Sequence, residues 1–220
     1  TGGSHDACQC SKLVEDNLEF QRRYSSCAIV MNSGLMGKLR QLRTGAAIDS
    51  HEAVFRLNAG PSGGFYAHIV GSRTTFRLMY PTTSTLHTFG DEVMLYSVYR
   101  SSERRLLKQA VRQNRFLPSL KVKELRKPFR DCAKRCMNLP ERHASTGILA
   151  VVLALTMCER ITVFGKSLRI DSFDLTKFSY HYFEQDNSSH IDDMFSRFHR
   201  PDLESKFYQE LAQLGVTFVP

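Results

Sequence analysis

Two histidines and a cluster of small polar residues are the parts of this sequence with chemistry to offer. His181 lies in "YHYFE" (180–184) and His199 in "RFHRPDLE" (197–204), both aromatic-rich and loop-like. An imidazole titrates near neutrality, so it can take a proton from a hydroxyl or, when charged, face an anion. His199 comes just before Pro201, a helix start, which favours an exposed proton acceptor. His181, flanked by tyrosines, is placed to donate to an anion; both also read as ordinary surface histidines. Ser145, Thr146 and Gly147 open the apolar run "ILAVVLALTMC". A helix N-terminus carries unpaired N–H groups and a partial positive charge, and small residues let a phosphate or carboxylate approach. Plain capping by Ser145 is the simpler use of the same residues. Asn32 and Ser33 in "MNSG", and Asn58 in "LNAG", end apolar strands, where they can meet a ligand or only turn the chain. No G-x-G-x-x-G or Walker lysine motif is present, and no His–Cys or His–carboxylate spacing marks a catalytic metal.

These residues need elements to hold them. Strands are expected within 27–34, 51–58, 74–80, 92–99 and 160–165, with a short "VTFV" at the end. Helices are expected at 101–114, with serine caps and Glu103 in the first turn, at 145–158, and at 201–215 between Pro201 and Gly215. Strands that are apolar throughout and alternate with helices predict a single Rossmann-like α/β domain over residues 1–220. Its sheet is mostly parallel and covered on both faces by helices. Such sheets bind ligands at the carboxyl ends of their strands, which here carry "NSG", "LNAG", "MYP" and "GKS".

The composition sets limits. Hydrophobic residues make up 42% of the 220, enough for a full core, yet no run reaches the roughly 18 apolar residues of a membrane span. "TGGSHDACQC" lacks the basic start and apolar stretch of a signal peptide, and the chain reads as a catalytic portion of something longer. The formal charge of +8 favours an anionic partner, but the basic residues form no aromatic-interleaved stripe of the nucleic-acid kind. Six cysteines, at 8, 10, 27, 132, 136 and 158, fit an oxidising compartment and allow 15 pairings. Cys8 and Cys10 are too close for an easy mutual bond, so each is expected to pair with Cys132 or Cys136. The competing use is a zinc site from "CQC" and "CAKRC".

Taken together, the motifs resemble those of the eukaryotic sialyltransferases, glycosyltransferase family 29. The stretch from "CAIVMNSG" to "FRLMYP" is similar to the large sialylmotif and "RHASTGILAVVLALTMCERITVFGKS" to the small one. "HYFE" resembles motif three, and "HRPDLE" the His-x4-Glu very small motif. All four occur in family order over residues 27–204. The resemblance implies a variant GT-A fold and a Cys27–Cys158 disulfide clamping the two halves of a nucleotide site. It implies CMP-sialic acid as donor, with Asn32, Ser33 and Asn58 holding the nucleotide and Ser145, Thr146 and Gly147 meeting the donor's negative groups. Ser167 stands in "GKS" where many members have "GFG", a departure at a nucleotide contact.

The implied chemistry is inverting transfer of sialic acid to a glycan hydroxyl, with His199 as general base, His181 stabilising the departing phosphate, and no metal or other cofactor. The implied setting is the lumenal side of the Golgi membrane, held through an N-terminal anchor and stem absent from this chain. The compact chain fits a plant or algal member. Linkage is open, and Kdo or Kdn are alternative CMP-activated sugars. A relative that binds nucleotide sugar without turnover is the other-class alternative, and a nucleic-acid module a more distant one. Two further expectations concern residues 182–198: a mobile lid that excludes water, and a glycosylation sequon at Asn187.

Overall fold

The computed structural model describes residue 10 and residues 22–38, 43–80, 92–113, 121–139, 143–169, 179–184 and 200–220. Seven strands form one sheet: β1 (Cys27–Val30), β2 (Ala53–Leu57), β3 (Phe76–Met79), β4 (Val93–Tyr96), β5 (Lys121–Glu124), β6 (Ile161–Phe164) and β7 (Thr217–Val219). Their order is β5-β4-β3-β2-β1-β6-β7, and every neighbouring pair is parallel. The expected α/β architecture is therefore present, with the sheet wholly rather than mostly parallel among the described residues. Strands β1 to β4 and β6 are almost entirely buried, as a sheet covered on both faces requires.

The helices are α1 (Gly34–Lys38), α2 (Gly45–Asp49), α3 (Ala67–Val70), α4 (Ser101–Gln113), α5 (Lys127–Cys136), α6 (Thr146–Met157) and α7 (Pro201–Gln213). Helices α5 to α7 cover one face, packing on Ile29, Phe55, Leu78 and Val163. Helices α1 to α3 cover the other, packing on Val30, Val54 and Phe164; α4 continues that layer through Leu107 on Met94 and Tyr96. Helix α6 is apolar all round, so it sits in the deepest layer rather than at the surface. Strand β5 ("KVKE") and helix α5 were legible in the sequence only as a basic cluster. As a sheet edge, β5 leaves its lysines in solvent, so the apolar run that marks a buried strand is missing.

The described cysteines are oxidised. Cys27, the first residue of β1, is bonded to Cys158, which ends α6, as the resemblance implied. A closed loop of this length, with a sequence separation of 131, removes about 5 kcal/mol of entropy from the unfolded chain. Cys10 is bonded to Cys132, which fixes one half of the expected second pairing. Cys136 is also disulfide-bonded, and Cys8 lies outside the described residues. The sulfurs of Cys10, Cys132 and Cys136 lie within 4.8 Å of one another, but in their oxidised form they supply no set of thiolates, so the zinc alternative does not hold.

Candidate active site

The order of the strands locates the site. The chain builds outward from β1 through β2, β3, β4 and β5, then returns to the other side of β1 with β6. Where the order reverses, the connections leave β1 and β6 on opposite sides of the sheet, and a crevice opens at their carboxyl ends. A cavity of about 490 Å³ lies there. Its lining includes Asn32 and Ser33 after β1, Asn58 after β2, Ser145, Thr146 and Gly147 at the start of α6, and His181. Seven of the residues singled out in the sequence thus come together.

One wall is made of main chain and short side chains. The Asn32 amide donates from Nδ2 to the Leu57 carbonyl at 3.0 Å and joins the ends of β1 and β2. Its Oδ1 comes so close to Gly60 that a Cβ there would lie 2.3 Å away, which is why that turn needs glycine. Asn58 has φ +46°, a conformation asparagine tolerates better than most residues, and its Oδ1 accepts from the Tyr80 amide at 3.0 Å. The fully buried Arg77 of β3 holds this turn from behind. Its guanidinium donates to the carbonyls of Asn58 (2.9 Å) and Gly60 (3.0 Å) and to the buried Glu92 carboxylate (2.6 Å). Ser145 is the N-cap of α6, its Oγ accepting from the Ile148 amide at 3.3 Å. The capping use is therefore real, and it coexists with the exposure of this first turn to the cavity. At Gly147 a Cβ would lie 3.3 Å from Met31 Sδ and 3.6 Å from the Tyr208 hydroxyl.

A second part of the lining is made of rings. Tyr80 follows β3, Tyr99 follows β4, and His143 precedes α6; all three line the cavity. The Tyr99 and His143 rings are 3.7 Å apart between centroids and tilted by 30° to each other, and the Arg130 guanidinium lies 4.9 Å from the Tyr99 centroid. Burial pushes the Tyr99 phenol up to about 12 and, with the nearby Lys134 charge, holds His143 below the usual imidazole value. Glu103, at the third position of α4, fixes this wall. Its carboxylate accepts from the amides of Tyr99 (2.8 Å) and Arg100 (3.1 Å) and from the Tyr80 hydroxyl (2.9 Å). Burial alone would raise its pKa, but these hydrogen bonds outweigh it and hold the carboxyl below its ordinary range.

His181 closes one end. Residues 179–184 run against the exit of β1: Gly34 N donates to Tyr180 O at 3.2 Å and Tyr182 N to Asn32 O at 3.0 Å. His181 Nδ1 lies 2.5 Å from Glu184 Oε1, so Nδ1 carries the hydrogen and Nε2 is the other ring nitrogen. Tyr182 is only 8% exposed, and its hydroxyl donates to the Pro61 carbonyl. The beginning of the expected lid is therefore seated in the core; residues 185–198, with the Asn187 sequon, lie outside the described residues. His199 also lies outside them, while Glu204, the last residue of its motif, lines the cavity. Ser167 is buried, and its Oγ accepts from the Arg169 amide at 3.1 Å; its neighbours Gly165 and Lys166 line the cavity and Ser167 does not.

The comparison with known proteins agrees with this architecture. The family model for glycosyltransferase family 29 (sialyltransferase) matches residues 5–137 and 99–216. The chain belongs to glycosyltransferase family 29. Among family relatives, the porcine CMP-N-acetylneuraminate-beta-galactosamide-alpha-2,3-sialyltransferase 1 is 30% identical over 217 residues, covering 92% of this chain and 59% of its own length. The human protein of the same name is 28% identical over 203 residues, covering 86% and 56%. The human type 2 lactosamine alpha-2,3-sialyltransferase is 26% identical over 165 residues, covering 63% and 49%. This family member thus spans about half the length of the curated relatives it matches. A crystal structure of a mammalian sialyltransferase in complex with Gal-beta-1-3GalNAc-ortho-nitrophenol shares its fold, with a TM-score of 0.68 and 24% identity. The match covers 99% of this chain and 79% of that one.

Tyr80, Tyr99, His143, Lys166, Tyr180 and Tyr208 line the cavity without having been singled out as site residues. For Tyr80 there was a signal, since "MYP" marks a strand end. Tyr99 and His143 are 44 positions apart with no motif between them, and only the β3–β4 pairing and the start of α6 bring them into contact.

Proposed function

We propose that this family member transfers sialic acid from CMP-sialic acid to a sugar hydroxyl of a glycan, of galactose type, with inversion and without a metal. The observation that carries the reading is the cavity at the strand reversal, where the large-motif residues Asn32, Ser33 and Asn58 face the small-motif residues Ser145, Thr146 and Gly147. In this reading the strand ends hold the cytidine and ribose. The first turn of α6, free of acidic side chains, receives the negative groups of the donor. The names of the relatives favour an α2,3 linkage to a β-galactosamide.

The reaction breaks the bond between the anomeric carbon and the phosphate oxygen, and CMP departs with the electron pair. The acceptor oxygen bonds to the opposite face of that carbon and gives up its proton. His199 is the base that takes it, and His181, tied to Glu184 through Nδ1, donates as the imidazolium from Nε2 to the departing phosphate. CMP is a good leaving group, and Glu204 is the one carboxylate among the described lining residues, which leaves no acidic pair to hold a divalent ion. The proposed setting is the Golgi lumen, with attachment to the membrane through a segment outside this chain; among the described residues no helix is long and apolar enough to cross a membrane. The disulfides fit an oxidising compartment.

A panel of CMP-activated 2-keto sugar acids, scored for CMP release with and without galactosides, tests the reading. Release from CMP-sialic acid that rises with a β-galactoside, and persists in EDTA, is the expected result. Preference for CMP-Kdo, or absence of release from every donor, would overturn it.

A further inference from the structure

Arg77 and Glu92 form the most deeply buried ion pair among the described residues, with side chains 1% and 2% exposed. The pair stands there at a cost. In the sheet Arg77 lies directly beside Arg56, which is also buried, and like charges facing each other across strands are destabilising. Arg56 is held by neutral oxygens, the carbonyls of Val70 (2.7 Å) and Arg73 (3.0 Å) and the Thr74 hydroxyl (3.0 Å), while the Glu92 carboxylate goes to Arg77. Its second oxygen, Oε2, has no hydrogen-bond partner among the described residues. A buried ion pair adds little net stability over an apolar pair of similar volume, so one kept under these conditions points to geometry rather than to stability. Glu92 immediately precedes β4 and takes Nε of Arg77, while Nη1 reaches the carbonyls of Asn58 and Gly60 in the turn after β2. A guanidinium is planar and rigid, so anchoring Nε fixes the direction in which Nη1 points. Within that turn Asn58, at φ +46°, gives Oδ1 to the Tyr80 amide, which leaves Nδ2 as the donor it brings to the cavity it lines.

We infer that Arg77, steered by Glu92, is a positioning residue for the nucleotide: by holding both carbonyls of the turn after β2, it sets the angle at which the Asn58 amide nitrogen meets an oxygen of the ligand. The inference rests on the donor reading above. Arg77 and Glu92 are not part of the cavity lining, and they act through Asn58, which is.

The test is a double-mutant cycle read by calorimetry with CMP. Arg77→Lys keeps a charge for Glu92 but loses the fork, and Glu92→Gln keeps the shape but loses the charge that anchors it. Each is expected to weaken CMP roughly tenfold in the folded protein, and Asn58→Ala to do the same. If Arg77 acts through Asn58, the losses do not add: in an Asn58→Ala background, Arg77→Lys should cost less than about a further twofold. A merely structural role would lower the midpoint of denaturant unfolding and leave the CMP affinity of the folded protein within about twofold of wild type, an outcome that would overturn the inference and leave the donor reading intact. Losses that multiply in full with that of Asn58→Ala would overturn it as well, since Arg77 would then act on the ligand by another route. If the wild-type protein does not bind CMP, the donor reading fails and this inference fails with it. Should Arg77→Lys not fold, Glu92→Gln in the same cycle with Asn58→Ala is read in the same way.

Discussion

The two walls of the cavity are built on different principles. The wall formed by the ends of β1 and β2 and the start of α6 uses backbone and short side chains, held by strand pairing, by Arg77 and by the Cys27–Cys158 bond. The wall formed by Tyr80, Tyr99 and His143 offers ring faces, held by the Glu103 carboxylate and by Arg130. Fixed amides suit the part of a ligand that never varies, which in the proposed function is the nucleotide. Ring faces tolerate variation, because stacking on a sugar or base demands no single hydrogen-bond pattern. Substitutions in the two walls should accordingly separate donor binding from acceptor binding.

The largest effect should come from the clamp on the backbone wall. Cys27→Ser with Cys158→Ser is expected to cost about 5 kcal/mol in denaturant unfolding, enough to abolish most of the stability of an ordinary domain. A loss below about 1 kcal/mol would mean that the wall is held by strand pairing alone. Next is the proposed base. His199→Ala should reduce transfer by roughly 10²-fold or more and leave CMP affinity unchanged, whereas His181→Ala should slow transfer and also weaken CMP. Near-normal turnover in His199→Ala would refute the assignment.

A paired substitution tests the division directly. At Gly147 the nearest atom to an added Cβ is the end of the flexible Met31 side chain, so Gly147→Val should fold, crowd the first turn of α6 and weaken CMP roughly tenfold. Tyr99→Leu should leave CMP binding alone and raise the KM for a galactoside about 5–10-fold, the scale of a lost ring contact. If both substitutions weaken CMP alike, the walls do not divide the labour. The smallest effect concerns Glu103. Its carboxyl is held below the ordinary value, so its contribution is present at neutral pH and fades as pH falls below about 4.5 and through the lowered folded value. Thermal unfolding should show Glu103→Gln about 1–2 kcal/mol less stable at pH 7, with the gap closing towards pH 3. A gap independent of pH would contradict the proposed hydrogen-bonded role.

The backbone wall was also the readable one. Buried parallel strands leave unbroken apolar runs, so β1, β2, β3, β4 and β6 were bracketed correctly, and the small polar residues that follow them stand out. The apolar segment 145–158 became α6 with its cap at Ser145, as expected. The ring wall left no comparable trace. Tyr99 and His143 touch only because strand register and the start of α6 place them together, and periodicity carries no information about such contacts. Arg56 and Arg77 are buried in strands where alternation would turn a charge outward, because helices cover both faces and each guanidinium finds carbonyl partners inside. Strand β5 was missed for the opposite reason, since an edge needs no apolar run.

The most direct test of the proposed nucleotide site is a titration of the isotopically labelled protein with CMP, followed by amide NMR shifts. The amides of Asn32, Ser33, Gly34, Thr146 and Gly147 should move first and most, those of Tyr99 and His143 should respond mainly to a later addition of galactoside, and those of α4 and β5 should stay still. Shifts concentrated on the basic residues of α4 and β5, with Asn32 and Gly147 unmoved, would contradict the account.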